Sequence, residues 1–494
     1  MNDIDAEVRK ATKWSLITEL LAKFVSPITG MILARLLTPE AFGVMASIMV
    51  VTSFAEMFAD AGFQKYFVQH EFYDETEKRK CFGTALMTSC IVAMLIWMLI
   101  IFFAEEIAVL LGTAEVAAGI KVAGFGLVLT SFNGMQTAIF KRKFQFKLLF
   151  KLRMITLAVP LLVTIPLAYF GFGFWALVFG MLAQQGAMCI VQARYTDMPF
   201  LQGIDGVSLR RMLSFSLWTL FESITIWFST YGGMFLIGVL LSSYYLGLYR
   251  GVLTLTGAAF GLITGSIVPV LFAALSRLQS NMLEFRNFFY DVQSKVALLL
   301  MPLGVLLLVY ADVAVNIMLG EQWHEGDFFF GVWSLTMTFS ILVNSLASEA
   351  IRAKGMPRLS AFSQILHFPV LWGALWYGAK FGFDMVALGM CASSLWLDVV
   401  KTFMLQQMLG ISVRKMAGNI LNAALPAAMA GVVAWSLRQV LASYEAVAVL
   451  ISVTIFSICY FLLLSIRRTN RQMILRGIRY LQEQFCQICE KYKT

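Results

Sequence analysis

The sequence is poor in charge. Only 14% of its 494 residues are Asp, Glu, Lys or Arg, where a soluble globular chain carries about 25%. Hydrophobic residues make up 59%, and the mean hydropathy is +0.77. No soluble core needs that excess, so a soluble enzyme, a nucleic-acid binder and a disordered scaffold are excluded. Histidine is scarce as well. His70, His324 and His367 fall in separate segments and form no Ser/His/Asp set and no metal cluster. The seven cysteines are scattered, which implies no disulfide framework. Cys486 and Cys489 form a lone C-x-x-C, and a structural zinc needs about four ligands. No loop is long enough to be a domain, and no ATP-binding loop is present. No cleavable signal peptide is apparent, because Glu19 and Lys23 interrupt the first apolar span. Neither enzyme, cofactor nor metal is expected, and the chemistry must occur within or between helices.

What is present is a series of apolar stretches about 20 residues long, the length that crosses a bilayer as a helix. Fourteen are readable. Met154 to Ala193 makes two, broken at Gly171 and Gly173, and Ser223–Tyr249 and Gly251–Ser276 flank Arg250. Lys and Arg concentrate on the cytoplasmic side of membrane proteins. With the N-terminus inside, 29 of the 38 fall on inner segments and five on outer ends. One missed span would invert every later loop and destroy that split. The expectation is an all-α polytopic protein with both termini cytoplasmic.

A repeat runs through the chain. Sliding it by 204 residues lays Leu36-Leu37-Thr38-Pro39-Glu40-Ala41-Phe42-Gly43 on Leu240-Leu241-Ser242-Ser243-Tyr244-Tyr245-Leu246-Gly247. At 211, Asn133, Lys141 and Lys143 land on Asn344, Arg352 and Lys354. Six spans per copy make the copies parallel, with a substrate path between them. The division is then 1–200 (spans 1–6), 201–410 (spans 7–12), 411–466 (spans 13 and 14) and a basic amphipathic tail, 467–494.

Polar residues inside spans are costly and usually face a bundle interior or a wet cavity. Span 1 carries Glu19 and Lys23 on one face with Ser26 and Gly30, and span 2 carries Glu56 and Asp60. Span 7 carries Glu222, and span 8 begins a stripe of Arg250, Thr254, Gly257 and Gly261. A hydrated cavity fits these faces. Glu19 and Lys23 could also simply neutralise one another, and the small residues of span 8 could serve close helix packing. Asp398 with Lys401 reads as a self-neutralising pair, as does Glu349 with Arg352.

Leu33 to Gly43, Ala59-Asp60-Ala61-Gly62-Phe63, Tyr245 to Tyr249 and Gly320-Glu321-Gln322-Trp323 together resemble the signature of the bacterial polysaccharide (Wzx-type) flippases. These belong to the multidrug/oligosaccharidyl-lipid/polysaccharide exporter superfamily. Arg250 stands where that pattern has a small polar residue. The resemblance implies transfer of a polyprenyl-pyrophosphate-linked oligosaccharide across the bacterial inner membrane by alternating access; with no ATP-binding loop, the energy comes from an ion gradient (H+ or Na+) or from downstream consumption. It also implies membrane lipids, a polysaccharide polymerase and assembly proteins as partners. Lys23, Arg35 and Arg250 would hold the pyrophosphate. Trp218, Trp227 and Tyr231 would face sugar rings, and Glu19, Glu56, Asp60 and Glu222 would line the cavity or bind the ion. A small-molecule exporter of the same superfamily is the alternative, followed by a membrane polymerase or acyltransferase.

Overall fold

The computed structural model describes residues 21–466, apart from 61, 144, 199–202 and 441–444. The described residues are helical with no strand. In chain order the helices are α1 (21–36), α2 (Pro39–Asp60), α3 (Phe63–Gln69), α4 (Glu75–Phe102), α5 (Ala104–Leu110) and α6 (Glu115–Arg142). Then come α7 (Lys147–Tyr169), α8 (Phe174–Tyr195), α9 (Gly206–Leu240), α10 (Ser243–Arg277), α11 (Met282–Val309) and α12 (Ala311–Met318). The last are α13 (Glu321–Ala353), α14 (Pro357–Gly378), α15 (Phe383–Leu409), α16 (Val413–Val440) and α17 (Glu445–Ser465). Among the described residues ten helices are long and apolar enough to cross a membrane, or eleven if α10 is a single span. With α1, α9 and α14 they occupy the places of the fourteen expected spans. The amphipathic tail and the C-x-x-C lie outside the described residues.

Local chemistry explains the ends. Gly171 and Gly173 adopt φ of 82° and 55°, which L side chains rarely do, and there the long apolar stretch turns from α7 to α8. Asp205 caps α9 by accepting the Ser208 N–H at 2.8 Å. The side-chain and backbone hydrogen bonds of Ser208 hold its carboxyl below the usual range. Lys143 and Lys354, aligned by the repeat, both sit at helix C-caps, where a cation suits the helix dipole.

One expected boundary is wrong. The sequence reading placed the turn between spans 7 and 8 at Arg250, because a charge interrupts the apolar run there. The turn is at Leu241–Ser242, and Arg250 lies inside α10. The repeat alignment had marked that place, since it puts the Leu36–Pro39 turn on Leu240–Ser243.

The chain forms two compact units. The first comprises Met1–Leu262, Val315–Phe329 and Phe368–Met390; the second comprises Ile263–Ala314, Phe330–His367 and Cys391–Thr494. In the first, Val44, Ile48, Ala117 and Ile120 join one core, and Phe67, Phe82 and Phe140 join another. In the second, the Tyr310 hydroxyl bonds the Ser452 hydroxyl at 2.6 Å, and the Tyr460 hydroxyl donates to the Leu298 carbonyl at 2.8 Å.

Candidate functional site

The site lies in the first unit and begins with a crossing of α2 and α10. A Cβ built on Gly43 would come within 1.6 Å of the Ser243 carbonyl oxygen, and one on Gly247 within 1.8 Å of the Pro39 oxygen. Only glycine permits either approach. Pro39 and Gly43 map onto Ser243 and Gly247 under the 204-residue shift, so the two contacts are copies of one another. This crossing is at the N-terminal end of both helices.

The turn before α2 is clamped from the other side. The Gln322 amide donates to the Ala34 and Leu37 carbonyls at 2.7 and 2.8 Å, and the Trp323 indole N–H donates to Ala34 at 2.9 Å. Trp323 is only 1% exposed and meets Phe42 edge-on at 5.3 Å. Gly320, with φ of 109°, supplies the turn that brings Gln322 and Trp323 in. Two motifs nearly 300 residues apart in sequence therefore form one structure. Arg35 belongs to it, donating to the Ile317 carbonyl at 2.7 Å.

Inward of the clamp, α1 and α10 border two cavities that share Pro27, Thr254 and Ala258. The outer one, about 150 Å³, contains Arg250. The inner one, about 340 Å³, is lined by Lys23, Ser26, Arg153, Thr254, Gly257 and Gly261, with no acid among the described residues. Lys23 is half-buried, and its ammonium donates to the Gly261 carbonyl at 3.2 Å. A Cβ on Gly30, Gly257 or Gly261 would meet nothing within 4 Å. Among the described residues these glycines face open space, which favours the cavity over close helix packing. Eleven residues separate Arg250 from Gly261 on α10, about 16 Å at 1.5 Å per residue. The groove thus holds cations at both ends and hydroxyls between them.

The other candidates are placed elsewhere. Trp227 is buried, donates its N–H to the Ser53 hydroxyl at 3.0 Å and packs on Phe54 and Tyr231. With Val50, Phe54 and Phe235 it lines an apolar cavity of about 400 Å³, separate from the cationic groove. Tyr231 joins that cluster, as does Met234, whose sulfur lies 4.0 Å from the Arg250 guanidinium. Glu56 is exposed on α2, and Asp60 keeps one buried oxygen without a hydrogen-bond partner. Glu19 and the side chains of Trp218 and Glu222 lie outside the described residues. Arg153 was missed by the sequence reading, which counted it with an inner loop. α7 starts at Lys147, so Arg153 is already inside the helix. Among the described residues no group of His, Cys, Asp and Glu could hold a metal ion.

Such a bundle, with a charged groove between glycine-bearing helices, defines a multi-pass membrane transporter. The fold is that of the lipid II flippase MurJ in its inward closed conformation, with a TM-score of 0.75, 14% identity, and coverage of 94% of this chain and 100% of that one. An inward-facing multidrug resistance MATE family transporter of the MOP superfamily matches with a TM-score of 0.58 at 10% identity, over 80% of this chain and 98% of that one. Residues 32–326 match the family described as polysaccharide biosynthesis protein. The chain belongs to that family. An uncharacterized membrane protein in the cps region of Klebsiella pneumoniae is 21% identical over 76% of this chain and 78% of its own length. The succinoglycan biosynthesis transport protein ExoT of Rhizobium meliloti is 23% identical over 64% of this chain, which spans 63% of that relative.

Proposed function

We propose that the protein carries a polyprenyl-pyrophosphate-linked oligosaccharide from the cytoplasmic to the outer leaflet of the bacterial inner membrane, by alternating access. The observation that supports this best is that one cavity brings Lys23 and Arg153 together, with no acid among its described residues. A pyrophosphate is matched by charge-assisted hydrogen bonds, and the hydroxyls of Ser26 and Thr254 suit its remaining oxygens. Arg250 offers the next foothold outward. A small-molecule exporter of cationic drugs would be served by an acidic lining, whereas the described residues of this cavity supply cations. Residues 1–200 and 201–410 act as the two lobes, and the copied crossing of Pro39/Gly43 with Ser243/Gly247 supports that division. In this state the crossing and the Gln322/Trp323 clamp close the outer side, so substrate enters from within. A polymerase and assembly proteins receive the exported glycan.

The test is appearance of lipid-linked glycan on the outer face of reconstituted vesicles. Each charge-assisted bond contributes about 1.5–3 kcal/mol, so Lys23→Gln or Arg153→Gln should lower transport roughly ten- to a hundredfold at normal insertion levels. Full transport by both variants would sink the pyrophosphate assignment. Orientation is tested separately, by labelling single cysteines with an impermeant reagent. Position 147 should react only from the cytoplasmic side.

A further inference from the structure

The second unit contains a charge that this groove does not use. Lys401, on α15, is 0% exposed and ranks among the largest fully buried side chains. Its ammonium donates to the Ser360 hydroxyl of α14 at 2.9 Å and to the Ser348 hydroxyl of α13 at 3.2 Å. Asp398, one turn earlier, was expected to neutralise it. Instead its Oδ2 accepts from the Ser340 hydroxyl at 3.2 Å, and Ser340 also pairs with Ser394 at 2.8 Å. The other oxygen, Oδ1, is buried without a hydrogen-bond partner. Among the described residues no ion pair joins Asp398 to Lys401. The ammonium has three protons and two acceptors, and the carboxylate has an empty acceptor position. Two opposite charges held apart in hydrocarbon are expensive, and a proton taken up from solution by Asp398 removes one of them.

We propose that Asp398 and Lys401 form a proton-binding site, whose occupancy couples the transport cycle to protons; the coupling half rests on the flippase reading. A proton fits better than a metal cation, because the Lys401 ammonium already fills the position between the serine oxygens. A cavity beside Asp398 supplies the route for the proton. Asp398 lines a cavity of about 480 Å³ with Thr402 and Gln406 and otherwise apolar side chains. At the inner end of α13, buried Glu349 is hydrogen-bonded to exposed Arg352. The remaining titratable groups nearby are few. From α14 come His367, with a buried Nε2 lacking a hydrogen-bond partner, and exposed Arg358. Lys354 bonds the Gln279 carbonyl at 2.7 Å. On α11, Gln293 is neutral, and Lys295 pairs with Asp291 at 2.6 Å.

Infrared titration of the full chain in vesicles, with no glycan present, tests the site alone. As pH falls, the wild type should gain a carbonyl stretch of a protonated carboxylic acid that Asp398→Asn lacks, read as a wild-type-minus-variant difference band. Lys401→Met should move its midpoint to higher pH, because the neighbouring cation no longer opposes protonation. Ser360→Ala, which keeps both charges, should move the midpoint without abolishing the band. No difference band between the wild type and Asp398→Asn overturns the proton site. Coupling is then read from glycan distribution across vesicles under a pH gradient. One proton per cycle corresponds to about tenfold per pH unit, and Asp398→Asn should lose that response. A pH response kept by Asp398→Asn, or a sodium gradient driving the wild type at equal pH, overturns the coupling. If the wild type moves no lipid-linked glycan under any condition, the flippase reading fails while the infrared result still decides the site.

Discussion

Two lysines within the membrane show how one residue type serves two ends. Lys23 stands in an open groove, half-buried, bonded to one backbone carbonyl and facing glycines that leave room beside it. Lys401 is sealed, with serines as partners and no space for a ligand. A cation with space around it can exchange its protein partner for a phosphate oxygen. Without that space, it can change only its own protonation or that of a neighbour. Exposure and partners, more than charge or depth, separate a binding residue from a titrating one.

Four experiments can break or sharpen this contrast. The largest effect belongs to the groove. Replacing both Lys23 and Arg153 with Ala removes two charge-assisted bonds, about 3–6 kcal/mol together. Transport of lipid-linked glycan should fall a hundredfold or more, with little change in thermal midpoint. If stability falls instead, Lys23 is structural and the contrast collapses. Second, Lys401 should answer differently to shape and to charge. Lys401→Ala opens a cavity costing about 2–5 kcal/mol. Lys401→Met keeps most of the volume and opens no comparable cavity, so it should lose less. Thermal unfolding in detergent should separate them; equal losses would mean that the ammonium itself holds the fold.

A steric change comes third. Gly43→Val pushes a side chain into the Ser243 carbonyl, an overpacking of about 1–3 kcal/mol. A cysteine reagent applied from outside should then reach a probe at position 30 faster than in the parent. Unchanged reactivity would show that the crossing does not seal the outer side. The smallest effect concerns Asp312, which pairs with Arg438. Burial raises its carboxyl, but the hydrogen bond and charge of Arg438 outweigh that and hold it below the usual range. Its contribution is therefore present above the ordinary carboxylate value of about 3.9 and is lost as pH falls through and below it. The side chain is 47% exposed, so the effect stays under about 1 kcal/mol. Asp312→Asn should lower the thermal midpoint at neutral pH and match the parent near pH 3.

Much of this was legible in the sequence because membrane physics leaves few choices. A helix must cross about 30 Å of hydrocarbon, so span length and the positions of Lys and Arg carry the topology. The clamp was half legible. The Gly320–Trp323 motif stood out as a motif, but nothing in its spacing says that it grips the carbonyls of Ala34 and Leu37. Arg153 was hidden because a basic cluster reads as a loop, while α7 begins within that cluster. The pairing of Asp398 with Lys401 failed for a different reason. Three residues along a helix bring two side chains to neighbouring faces, and the hydroxyls that claimed them came from two other helices.

The crossing of Pro39/Gly43 with Ser243/Gly247 has a consequence for the ancestry of the chain. In a single six-helix copy the same four positions would meet across a two-fold axis, as the self-complementary interface of a dimer. Every substitution there would then be felt twice, once on each subunit. Fusion of two copies releases that constraint, because each side can drift while the other stays. The present residues record such a release: the glycines persist on both sides, where the backbones touch, while the residue across from each is proline in one half and serine in the other.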